Sequence, residues 1–117
     1  MIVDKVRVAY YFFMKKSKIF SIVIELVANE LEISKEAILS KKKSAEVVDA
    51  RHLLVVLLSR YGFYTQTIAD ILKCTPRSIQ HILAYFDERI KYCPPLRFAY
   101  QRVQKKLQEI FANESVI

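Results

Sequence analysis

Glycine is almost missing from this chain: Gly62 stands alone among 117 residues, with three prolines and no tryptophan. One glycine cannot build a GxGxxG or GxxxxGK[ST] loop, which argues against nucleotide binding and against an α/β nucleotide-binding enzyme. There is no Ser/Gly-rich tract, and hydrophobic residues make up 53%. A disordered, collagen-like or linker-rich chain is thereby excluded. Long apolar runs are absent as well. The run 19–28 is broken by Glu25 and falls short of the ~20 apolar residues that a membrane span requires. The first apolar stretch follows Asp4 and leads to no small-residue cleavage site, so no secretory signal is expected. Only two cysteines occur, Cys74 and Cys93, far apart. With His52 and His81 they lack the close paired spacing of a zinc site, and a structural role in a reducing cytoplasm is expected for both. No carboxylate pair, Cys/His dyad or metal cluster stands at informative spacing, so neither an enzyme nor a cofactor is expected.

What is present is positive charge and helical periodicity. Nineteen Lys and Arg against twelve Asp and Glu give +7, and a pI near 9.5. That balance suits a polyanion partner, although a merely soluble basic surface has the same composition. The length fits one domain over 1–117. It divides into an N-terminal extension (1–18), a core (19–91) and a C-terminal helix (94–112).

No stretch alternates with period two, so the fold class expected is all-α, a compact helical bundle. Residues 5–14 form a short apolar segment that suits a helix. From Ile19 to Leu31, Phe20, Val23, Ile24, Val27 and Leu31 make one stripe, with Glu25, Asn29, Glu30 and Glu32 outside it. Ser34 caps a brief helix over 35–39, and a basic loop, Ser-Lys-Lys-Lys-Ser (40–44), follows. Ser44 is placed to cap a long helix, in which six consecutive apolar residues, Leu53 to Leu58, predict burial all round. Gly62 ends it as a C′ glycine would. Thr65 then opens a short helix, Cys74 turns the chain, and Thr75 caps another helix whose first residue is Pro76. The last helix carries Leu96, Tyr100, Val103, Leu107 and Phe111 on one face.

The stretch 66–91 reads as a helix-turn-helix. Two helices crossing steeply need a small residue at their contact, and Ala69 supplies it. Ile68, Leu72, Cys74, Ile79 and Ile82 occupy the apolar offsets that close the wedge. Lys73 takes the turn position at which glycine is usual for φ > 0. With Ile79, Ile82, Leu83 and Phe86 inward, the outer face of the second helix shows Pro76, Arg77, Gln80, His81 and Ala84, with Ser78 at the margin. Arg77 can donate two hydrogen bonds to guanine, and Gln80 can pair with adenine. Thr75 and the first N–H groups suit a phosphate. An ordinary helical hairpin with a solvated face is the plain alternative.

From about Ile24 to Leu107 the chain resembles the C-terminal DNA-binding domain of DnaA, the bacterial chromosomal replication initiator. Residues 27–34, Val-Ala-Asn-Glu-Leu-Glu-Ile-Ser, resemble its first helix and turn. Residues 37–44, Ala-Ile-Leu-Ser-Lys-Lys-Lys-Ser, match its small helix and basic loop. Residues 47–58 resemble its long helix, with Arg51 at a characteristic arginine. The resemblance implies a Trp-repressor-like helix-turn-helix and duplex DNA as partner. It also implies that Lys43 reaches the minor groove and that Arg51, Arg77, Ser78 and His81 contact a DnaA-box-like site. The turn departs from the family pattern. It is one residue shorter, lacks the family's Asp, and has Pro76 near the position of the base-reading His. The ATPase module of the initiator is absent from this stretch.

Lys41, Lys42 and Lys43 gain weight from their surroundings. Residues 41–62 hold five Lys and Arg against Glu46 and Asp49. Such a surface would neutralise ~5–7 phosphates. The expectation is sequence-specific binding of double-stranded DNA in replication or transcription, with no nucleotide cofactor and no membrane partner. The rival expectation is a protein-interaction module, with a homodimer formed through the aromatic segment Tyr10-Tyr11-Phe12-Phe13 or through the C-terminal helix. A membrane-surface role for residues 1–20 is a third. His52 beside the apolar run is read as a core-edge histidine, with a phosphate contact as its alternative.

Overall fold

The computed structural model describes residues 16–114. The expected helix over 5–14 and the aromatic cluster at 10–13 lie outside the described residues. Those described form six helices and no strand: α1 (Lys16–Leu31), α2 (Lys35–Ile38), α3 (Ala45–Arg60), α4 (Thr65–Leu72), α5 (Pro76–Tyr92) and α6 (Pro94–Glu114). The chain is an all-α bundle, as its periodicity predicts. None of these helices is long and apolar enough to cross a membrane.

The unbroken apolar run explains the architecture. All six residues from Leu53 to Leu58 are buried, because α3 packs against each of the other five helices. A helix with one apolar stripe would leave half of them in water. Around it, α1 contributes Ile19, Val23, Ile24 and Val27, and α6 contributes Leu96, Tyr100, Val103, Leu107 and Phe111. The α6 stripe is therefore part of the core.

Helix ends show how a chain with one glycine turns corners. After α3, Gly62 takes φ +88. Its N–H donates to Ser59 O, and Phe63 N–H donates to Leu58 O at 3.1 Å. That double closure is the Schellman motif. The same motif ends α4, with Lys73 at φ 55 and Cys74 N–H donating to Ala69 O at 3.0 Å. It ends α1 through Glu32 at φ 56. For a residue with a Cβ, the left-handed region costs roughly 1 kcal/mol or more.

Three sequence expectations need correction. Tyr64, not Thr65, is the N-cap of α4, and Thr65 is already helical. The chain arrives extended from Phe63, so the cap falls one residue earlier than the threonine suggests. Ser44 does stand at the N-cap of α3, but its hydroxyl makes no capping hydrogen bond. Glu30 is not outside the bundle. Its side chain is 12% exposed and holds Arg102 Nε at 2.7 Å and Lys106 Nζ at 3.7 Å, joining α1 to α6. A helical wheel of α1 alone cannot show that α6 supplies two cations there.

Candidate nucleic-acid interface

The candidate interface lies on two helices, α4 and α5, joined by three residues, Lys73 to Thr75. Ala69 is fully buried where α4 meets α5, with Ile68, Leu72 and Ile79 buried beside it. Cys74 and Ile82 are half-buried against the same core. Both cysteines are free thiols. The start of α5 is held firmly: Thr75 Oγ1 accepts from Ser78 N–H at 3.1 Å and lies 2.9 Å from Ser78 Oγ. Pro76 occupies the first turn, where its fixed φ suits the helix and its missing N–H leaves nothing unsatisfied.

This helix start has no acid in its first turn, and the first one along α5 is Asp87. Arg77, Ser78, Gln80 and His81 are all exposed, as are Lys42, Lys43 and Lys73. Among the described residues, the side chains of Arg77, Gln80, Lys42, Lys43 and Lys73 have no hydrogen bond or ion pair within the chain. His81 packs its ring on Tyr85, one turn on, at 4.6 Å. The N-terminal end of the helix dipole adds partial positive charge to the same surface.

The basic loop stands beside this helix start because other residues pin it there. Arg51 reaches out of α3 and donates from Nε to Ile38 O at 3.0 Å. Its Nη2 donates to Ser40 O at 2.6 Å and Lys42 O at 3.1 Å. Ser40 Oγ donates to Ala37 O and accepts from Lys42 N–H. Lys41 is exposed like its neighbours, but its ammonium is engaged within the protein. Its Nζ donates to Leu72 O at 3.1 Å and Lys73 O at 2.5 Å, the last carbonyls of α4. The lysine run therefore presents Lys42 and Lys43 with ammonium groups unpartnered among the described residues, while Lys41 and the half-buried Arg51 are hydrogen-bonded to backbone carbonyls.

A groove of about 430 Å³ runs along α5 past His52, His81, Tyr85, Phe86 and Tyr92. His52 is half-buried, as expected of a core-edge histidine. Burial lowers its pKa from 6.5, and the neighbouring Arg89 guanidinium pushes the same way, with Asp49 opposing. Arg89 itself is paired with Asp49 across the α5–α3 contact. Among the described residues, no three His, Cys, Asp or Glu side chains gather as a metal site.

Of the nine residues expected at the interface, Arg77, Ser78, Gln80 and His81 share one helix face with Thr75 at its start. The contact from Lys41 to Lys73 brings the loop of Lys42 and Lys43 to the turn before it. Two exposed residues beside these, Lys73 and Tyr85, were not among those expected from the sequence. Lys73 had a visible signal, since its place in the turn put its side chain at the helix corner. Tyr85 had only its spacing of four from His81. The chain matches no protein-family model and no curated protein sequence.

Proposed function

We propose that this protein is a sequence-reading binder of double-stranded DNA. The first turns of α5 enter the major groove, and Lys42 and Lys43 lie on the flanking phosphates, with Lys43 nearest the minor groove. Arg77, Gln80 and His81 read base edges, and Lys73 with the start of α5 holds the backbone. One observation carries the reading: an acid-free helix start, with Arg77 and Gln80 unpaired among the described residues, stands beside a basic loop that is braced in place. Solvated helical surfaces seldom combine both features, because a loop of three lysines is ordinarily loose. The order of segments that resembles the replication initiator's DNA-binding domain agrees with this placement. Replication control or transcription in the cytoplasm is the corresponding role. The helix-turn-helix would act without catalysis or cofactor.

The test compares the unaltered chain with Arg77→Ala on two labelled duplexes, one carrying a DnaA box and one scrambled. Arg77→Ala should lower the preference between them by about 1–3 kcal/mol while leaving weaker, general binding in place. Equal loss on both duplexes would overturn the base-reading role of Arg77. The rival reading, an interaction module, rests on the aromatic segment 10–13, outside the described residues, and on the C-terminal helix, whose Phe98 is 49% exposed while its apolar stripe is buried.

A further inference from the structure

Lys41, Lys42 and Lys43 look equivalent in sequence, but they do different work. Lys42 and Lys43 carry free ammonium groups. That of Lys41 sits on two carbonyls at the C-terminal end of α4, at 3.1 and 2.5 Å. These carbonyls belong to the unsatisfied end of a helix, where partial negative charge favours a cation. They also flank Lys73, the left-handed residue that turns the chain into α5. Arg51 fixes the other side of the loop through the carbonyls of residues 38, 40 and 42. The loop backbone is thus held from two directions. Among the described residues, Lys41 is the side chain whose hydrogen bonds connect it to the corner from which α5 departs.

We infer that Lys41 is a positioning residue, a strut that sets the spacing between the basic loop and α5 and touches no phosphate itself. This inference rests on the DNA-binding reading and concerns how that site is held in shape before DNA arrives. A lysine that neutralises a phosphate releases counterions, so its loss flattens the salt dependence by about 0.9 per contact. Loss of a strut acts otherwise. It frees the loop, adds an ordering cost to binding, and weakens affinity equally at every salt concentration.

Two measurements on Lys41→Met and Lys43→Met test the assignment; the methionine retains the aliphatic stem and removes the ammonium. In the free protein, amide hydrogen exchange should quicken over 40–44 and at Cys74 and Thr75 in Lys41→Met, and stay unchanged in Lys43→Met. Lys41→Arg, which can still donate to both carbonyls, should restore protection. In a salt series on duplex DNA, Lys41→Met should lose about three- to tenfold affinity at each salt with an unaltered slope. Lys43→Met should lose slope by roughly one unit. A flattened slope for Lys41→Met with unchanged exchange would make Lys41 an ordinary phosphate contact and overturn the inference. If the unaltered chain binds no duplex, the DNA-binding reading falls, and exchange in the free protein still decides whether Lys41 braces the loop.

Discussion

Lys73 and His52 show how much a single residue's surroundings decide. Lys73 occupies the left-handed region with φ 55 and ψ 49, a conformation that glycine adopts without the Cβ penalty. Lys73→Gly should therefore stabilise the fold by about 0.5–1 kcal/mol in urea denaturation, once the greater freedom of an unfolded glycine is set against the strain removed. The same variant should bind DNA more weakly, because an exposed cation is gone from the interface. A less stable Lys73→Gly would contradict the strain argument. His52 behaves differently. Burial is the main cause of its lowered pKa, with Arg89 next and Arg51 and His81 adding to it, while Asp49 opposes. The unfolded chain then takes up a proton near pH 6.5 before the folded one does. The stability that neutral His52 contributes is complete above that pH and is lost as pH falls through its lower folded value. His52→Gln should remove this component and flatten the fall in stability below about pH 6.5. An acid limb unchanged by the substitution would place the proton uptake elsewhere.

Among the elements, α3 governs the fold and α5 the site. Leu57 is fully buried within the helix that touches all the others. Leu57→Ala should cost about 3–5 kcal/mol, read by chemical denaturation, since five surrounding helices cannot all collapse onto the gap. A loss below about 1 kcal/mol would contradict the central position assigned to α3. The centrality of α3 was legible in its six-residue apolar run, as were the Ser34 and Thr75 caps, the Gly62 stop and the α6 stripe. Each of these depends on neighbours within a few residues. The features that escaped depend on partners distant in sequence: Glu30 between α1 and α6, Lys41 on the end of α4, and Arg51 on the loop carbonyls. At Thr65 the error was local. Threonine is a favoured cap, but the extended backbone of Tyr64 took that position instead. The lysine run was legible as charge, whereas its division into one strut and two free cations required the position of α4.

Across the whole molecule the charge is uneven. Residues 41–81 hold seven Lys and Arg against three acids. Two of those acids are engaged within the protein, Asp49 by Arg89 and Asp70 by Gln66. Glu25, Glu32 and Glu36 line a separate hollow at the α1–α2 corner, where Lys35 pairs with Glu25 at 2.9 Å. If the partner is DNA, as proposed, the excess of positive charge over residues 41–81 would orient it toward that side during its approach. It also makes salt the most informative variable, because counterion release scales with the number of phosphates met and is indifferent to sequence. Fluorescence anisotropy of the purified chain on a DnaA-box duplex and a scramble, over a salt series, tests the central claim most directly. The account predicts a slope of log affinity against log salt steeper than about −3, and tighter binding to one sequence than the other. No binding at low salt, or binding indifferent to salt, would contradict it.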